Sequence, residues 1–301
     1  MSRQVAHGLL LLTSFVWGIT FVFQTTGMET IGPFGFTTLK FLTGTITILP
    51  MAIWEYRRAP LQTIMLDSKD DRVMIMIGII NLGVLMFVGS ALQQVSLGIT
   101  SIANTAFLTT LYVPLVPILG LLMFRRNMRK LRWVAVAIFV VGSWLMSGAS
   151  PSDAVIGDVM VIIGAFFWAG HIMLVGWMAQ RTHAPFQLAF LQMLITTILS
   201  YFVFSFTETM TLMDLSAVWP EILFAGIMST GLGFTLQLIA QQHCSNAAAA
   251  ILLSLEGVFA AISGWVLLGQ SMLVSAMMGA GLIFVAVLIV ELSPEFKEQS
   301  R

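Results

Sequence analysis

Residues 252–260 read LLSLEGVFA, and Glu256 is the only charge in a run that continues through AAISGWVLLG to Gly269. A carboxyl group in such a setting can bind an amine, carry a proton, or hold a neighbouring donor. Two other ionisable side chains sit well inside apolar runs: Lys40 in TTLKFLTG and His171 in WAGHIML. Trp17 in FVWGITF and Trp168 in FFWAGHI could stack a flat substrate or an ammonium over an indole face. Gln93, Gln237 and Tyr112 add hydrogen-bonding groups in equally apolar surroundings, with Asn81, Asn104 and Gln24. Such a constellation resembles the lining of a binding cavity more than a catalytic centre. It holds no Ser/His/Asp grouping, no Walker A motif and no H-E-x-x-H. No metal or cofactor is expected.

The elements that must position these residues are set by composition. Hydrophobic residues make up 58% of the 301 and charged residues 9%, with a mean hydropathy of +0.94. A chain so short of charge could not cover its own surface in water, so an all-α polytopic membrane protein is predicted. Apolar runs long enough to cross roughly 30 Å of hydrocarbon fall near 8–26, 33–54, 73–95, 100–124, 131–148, 158–180, 185–206, 219–241, 247–268 and 271–290. Every Lys and Arg except Lys40 then falls on one face, including Arg57, Arg58, Arg72 and the RRNMRKLR cluster. The positive-inside rule assigns that face, with both tails, to the cytoplasm. The expected location is the cytoplasmic (inner) membrane. The first apolar run is too long for a signal-peptide core, so no cleaved signal is expected.

On that frame Glu256 lies roughly 14 Å into the ninth span, near the midplane. Placing an acid there costs about 2.5–3.5 kcal/mol on insertion scales. It must face a wet cavity, pair with a cation, or carry a proton; the alternative is a neutral acid that locks two helices together. Lys40 lies roughly 10 Å below the outer end of the second span, where it can snorkel outward, pair helices or contact substrate. His171 is a candidate proton partner for Glu256 or an interhelical hydrogen-bonder. His7, His183 and His243 fall at span ends and are expected to be solvated. Cys244, the single cysteine, reads as a buried thiol. Pro114 and Pro117 predict a kink in the fourth span. The stretches AAAA at 247–250, GLG at 231–233 and GAG at 279–281 read as close-packing positions.

An internal repeat organises the ten spans. Laying Leu92–Met128 over Leu236–Met272 without gaps gives 10 identities in 37 positions. Trp17-Gly18 matches Trp168-Ala169, Pro33-Phe34 matches Pro185-Phe186, and the matches keep their order. The predicted fold is therefore ten transmembrane helices in two inverted five-helix repeats, residues 1–150 and 151–301. Five crossings per half force the second half to enter from the opposite side, an arrangement common to secondary transporters.

The Trp-Gly of the first span, the LEGVFAAISGWVLLGQ run of the ninth and the paired five-helix halves resemble the EamA family of the drug/metabolite transporter superfamily. The resemblance covers essentially the whole chain. It implies an inner-membrane carrier, usually an exporter, of small metabolites, amino acids or amphiphilic compounds, working by alternating access without ATP. The partners expected are a small-molecule substrate and membrane lipid, with protons as a candidate coupling ion, no nucleic acid, and a monomer or homodimer. Family members often carry Glu-Pro where Glu256-Gly257 stands here, a second Glu at Gln270, and Arg at Lys40. The alternative class is a membrane-embedded enzyme or flippase acting on a lipid-linked or nucleotide-linked sugar. Such substrates favour deep cations, of which Lys40 alone is available.

Overall fold

The computed structural model describes residues 1–61, 69–124, 130–146, 155–269 and 273–292, all of their regular structure being helical. The first half comprises α1 (Arg3–Gly27), α2 (Pro33–Arg58), α3 (Lys69–Leu97), α4 (Ile102–Thr109), α5 (Tyr112–Phe124) and α6 (Lys130–Met146). The second comprises α7 (Val155–Thr182), α8 (Pro185–Thr207), α9 (Leu212–Leu223), a π-helical segment (Phe224–Gly233), α10 (Phe234–Gln241), α11 (Asn246–Leu253), α12 (Leu255–Leu268) and α13 (Val274–Leu292). Joined end to end where they run on, these make eight helices long and apolar enough to cross a membrane among the described residues, with shorter apolar helices at Trp133–Met146 and Val274–Val290. The sum is ten crossings. The repeat boundary at 150/151, Gln270, the cations Arg125, Arg126 and Arg129, and the carboxyl-terminal Lys297 and Arg301 lie outside the described residues.

Helices this apolar turn much of their surface outward. Ile46, Met76, Leu122, Phe206 and Val274 are among the exposed large hydrophobics, as expected where the solvent is lipid. With no water to satisfy stray backbone groups, helices close their own hydrogen bonds, and side-chain hydroxyls do likewise. Thr37, Thr45, Thr182 and Thr197 each bond the carbonyl four residues back.

The packing repeats itself when the halves are exchanged. α2 runs along α8, and α6 along α13. α1 packs on the π segment, α10 and α12; correspondingly, α7 packs on α3 and α5. α2 also meets the π segment as α8 meets α3. The Arg3 guanidinium donates to the Val290 carbonyl at 3.2 Å, so the first and last described helices end on the same face.

One detail differs from the sequence-based expectation, and one expected interruption has an unexpected counterpart. His7 is buried, 1% exposed, whereas His183 and His243 are exposed. The interruption of the fourth span falls at Thr110–Leu111, ahead of both prolines, and an equivalent one occurs at Ser254 in the ninth span, which has no proline there. In the fourth span the break falls at the carbonyl that Pro114, having no N–H, leaves without its usual donor, and a hydroxyl back-bond accompanies the break in both spans. Thr110 Oγ1 donates to the Phe107 carbonyl and Ser254 Oγ to the Ile251 carbonyl, both at 2.7 Å. Such back-bonding tightens and bends a helix. Val113 N–H then bonds the Thr110 carbonyl and Gly257 N–H the Ser254 carbonyl, each three residues back.

Small residues set the closest approaches. A Cβ on Gly279 would collide with the Gly142 carbonyl and the Met146 backbone, whereas Gly281, one turn-face away, has open space around it. Gly279→Leu should therefore destabilise by about 3 kcal/mol, read as a lowered thermal-unfolding midpoint in detergent. Gly281→Leu should leave that midpoint nearly unchanged.

Candidate functional site

The tightened turns place Tyr112 and Glu256 at the starts of α5 and α12, two residues after Thr110 and Ser254 respectively. The two residues are 144 apart, the same offset that aligns Leu92 with Leu236, and the Tyr112 hydroxyl donates to Glu256 Oε1 at 2.9 Å. Equivalent positions of the two halves therefore meet, one as donor and one as acceptor. Glu256 is 5% exposed. It lies in the first turn of its helix, where the macrodipole favours negative charge.

Glu256 lines a cavity between the halves with Trp17, Thr20, Phe21, Gln24, Lys40, Phe41, Gln93, Tyr112, Trp168, Phe234 and Gln237. Seven of the eight sequence-proposed residues thus share one wall system: Glu256, Trp17, Trp168, Lys40, Gln93, Gln237 and Tyr112. The eighth, His171, is not among the lining side chains. It is fully buried behind Trp168 and Phe234, with ring centroids at 5.7 and 5.9 Å, and its Nε2 bonds Gln192 Oε1 at 3.0 Å. The structure does not bring His171 into contact with Glu256.

Lys40 does not snorkel. It is 6% exposed, and its ammonium donates to Gln24 Oε1 at 2.5 Å and Gln94 Oε1 at 2.9 Å, between the Phe36 and Phe41 rings. No hydrogen bond joins it to Glu256 among the described residues, so a cationic wall and an acidic wall face one cavity.

The two tryptophans are repeat equivalents in contact as well as in sequence. Trp17 lies against Gly233 and Trp168 against Gly89, positions that are themselves 144 apart, and a Cβ on Gly233 would overlap the Trp17 ring. Phe234 sits between them, 4.7 Å from Trp17 and stacked 6.0 Å from Trp168. Their polar edges differ: Trp17 Nε1 donates to the Ser229 carbonyl at 3.1 Å, whereas Trp168 Nε1 has no partner among the described residues. Ser229 belongs to the π segment, and π turns recur at functional sites. Gln93 donates to Thr109 at 3.0 Å and Gln237 to Gln241 at 2.9 Å. Of the remaining polar candidates, Asn81 bonds its own helix at Ile77 and Asn104 bonds Asp158, both away from the cavity lining.

The cavity encloses about 50 Å³, room for a few waters but not for a metabolite, whose sites run to about 300 Å³ or more. A larger lateral groove of about 670 Å³ runs over Leu49, Ile53, Ile75, Ile79 and Leu191 with Arg72 and Tyr56. It contains no acid among the described residues and lies away from the repeat-related groups, so chemistry favours the smaller space. Sequence reading missed Gln94, Ser90, Ser229 and Thr230. Their signal is weak, because a lone Gln or Ser on an apolar helix reads the same wherever it faces.

Comparison with known proteins gives one consistent result. The profile of the EamA-like transporter family matches residues 4–148 and again 155–292. A protein of Archaeoglobus fulgidus named an uncharacterized transporter is 29% identical over 293 residues, covering 97% of this chain and 87% of its own. A second transporter of that name and organism is 25% identical over 172 residues, 56% of each chain. A solved crystal structure shares the fold with a TM-score of 0.76 at 15% identity, covering 97% of this chain and 98% of its own.

The Tyr112–Glu256 bond generates a direct test of the site's internal energetics. Tyr112→Phe leaves a buried acid without its donor and should destabilise by about 1–3 kcal/mol, measured as the unfolding midpoint. Tyr201→Phe, at an exposed position, should have no such effect.

Proposed function

This chain belongs to the EamA-like transporter family, and from that premise we propose that it is a secondary carrier exporting a small amphiphilic metabolite, amino acids included, across the cytoplasmic membrane by alternating access. The observation that carries this reading is the cavity itself. It lies where the two halves meet, is lined by equivalent residues of both, and is too small here to hold its cargo. Substrate binding therefore requires the halves to separate, and near-equivalent halves have two near-equal ways of doing so.

The lining supports a cargo with a flat apolar body and polar ends. Trp17, Trp168 and Phe234 offer aromatic faces, with Glu256 towards an ammonium and Lys40 towards an anionic group. Glu256 is the carboxyl that exchanges its partner during the cycle, taking an ammonium or a proton in place of Tyr112. His171, held by Gln192 behind Trp168, acts through the packing of the aromatic wall. The placement of cations puts both tails in the cytoplasm.

The test starts with purified protein screened by thermal shift against amino acids, amines, sugars and nucleotides, followed by counterflow of the stabilising compound in vesicles. Saturable stabilisation by an ammonium-bearing amphiphile is expected, with Glu256→Gln lowering exchange at least tenfold and Trp168→Ala weakening half-saturation. Glu256→Gln protein with full, pH-dependent exchange would remove the role given to the acid. Stabilisation by nucleotide-linked sugars alone would favour the sugar-carrier alternative.

A further inference from the structure

Helices α2 and α8 begin with the same unmet need. Their N-cap residues, Gly32 and Ala184, provide no side-chain acceptor, and both helices open with proline, Pro33 and Pro185, which has no N–H to offer. The first free donors are therefore the backbone amides of the next two residues, an unsatisfied set that a carboxylate suits by hydrogen bonding and by the helix dipole. In each helix that carboxylate comes from the other half of the protein.

At one end Glu208, just past the last turn of α8, accepts Phe34 N–H on Oε1 at 2.9 Å and Gly35 N–H on Oε2 at 2.8 Å. At the other end Glu55, in the last turns of α2, accepts the Gln187 N–H on Oε2 at 2.9 Å and the Gln187 side-chain amide at 3.4 Å. The Gln187 amide also donates to the Ala59 carbonyl at 3.1 Å and accepts Leu61 N–H at 2.9 Å. Since each helix ends where the other starts, α2 and α8 are antiparallel and the two clasps lie at opposite faces. Between them the Thr45 and Thr197 hydroxyls are 3.5 Å apart and 152 residues apart in sequence, the offset that aligns Pro33 with Pro185. The pair thus touches at its middle through equivalent residues and is clasped at both ends by reciprocal ones.

We propose that Glu208 and Glu55 are the gate residues of this carrier, each carboxylate closing one face by capping the first turn of the partner helix, and each released when its own face opens. The inference rests on the alternating-access reading given above. Both clasps are made here, and the cavity between the halves is correspondingly contracted. A rocking motion about Thr45 and Thr197 would break one clasp while leaving the other, so the two carboxylates weigh against each other in setting which face opens. Gly32 belongs to the device: a Cβ there would overlap the Glu208 carboxylate, which would have to shift from its place over the helix start.

The test uses the full chain in membrane vesicles, with Cys244→Ser removing the native thiol and Thr20→Cys reporting from the cavity wall. An impermeant methanethiosulfonate is applied from each face in turn. Glu208→Gln should raise labelling from the Glu208 face roughly tenfold, the worth of a hydrogen bond to a charged group, and lower it from the opposite face. Gly32→Ala, which displaces the carboxylate without removing it, should do the same. Glu55→Gln should shift labelling the other way, and the double variant should return the ratio of the two faces towards the parent. Single variants that shift in the same direction, or not at all, overturn the gate assignment while parent labelling from both faces keeps the transport reading. Parent protein labelled from one face only under every condition overturns both.

Discussion

Inside a bilayer no water answers a stray donor or acceptor, and this constraint governs where most polar side chains of the described spans go. Many hydroxyls meet it within their own helix, and a smaller set of groups takes partners from the other half. Tyr112 answers Glu256, the Ser229 carbonyl answers Trp17, Thr45 meets Thr197, and two glutamates cap the opposite half's helices. Polar groups that would be liabilities on an isolated helix become the contacts that register one five-helix unit against the other. The cost of leaving any of them unmet, about 1–3 kcal/mol for a buried group, fixes which arrangements of the halves are allowed.

Repetition supplies the geometry, and divergence supplies the chemistry. Thr110 and Ser254 make the same tightened turn with the same back-bond, which brings the next positions, Tyr112 and Glu256, face to face. Had both been glutamate, two acids would repel; had both been tyrosine, the cavity would lack an acid. Lys40 aligns with Gln192 by the offset of the paired prolines. The first bonds Gln24 and Gln94 in the cavity wall, and the second bonds His171 behind it. The two halves are therefore alike in the backbone they bring to the cavity and unlike in charge.

The architecture was legible in the sequence because it rests on strong, additive signals: run lengths, the one-sided placement of cations, and the order of the repeat matches. The shared cavity was legible for a related reason. A polar residue in an apolar run has few places to go, and Trp17, Lys40, Glu256, Gln93 and Gln237 line it together. What a side chain does once buried was less legible. Lys40 reads from depth as able to snorkel, pair helices or contact substrate, and only the structure shows that it pairs α1 with α3 through two glutamine carbonyls. His7 reads as solvated because it lies near a span end, yet neighbouring helices cover it. The kink in the fourth span reads from its prolines, and it falls at the Thr110 carbonyl that Pro114 cannot bond; its counterpart at Ser254 carries no proline and so no such signal. Glu55 and Glu208 escaped notice entirely, since an acid at a span end looks solvated unless the helix start it caps is seen beside it.

The two halves meet along the antiparallel helices α2 and α8, with Thr45 and Thr197 in contact between them at the proposed pivot. Oxidative cross-linking of Thr45→Cys with Thr197→Cys in membranes, in the Cys244→Ser background, probes that geometry directly. The expected result is a rapid intramolecular disulfide in protein that still exposes its cavity to each face in turn. Failure of the pair to cross-link, or a cross-link that freezes the protein open to one face, would contradict the arrangement of the halves.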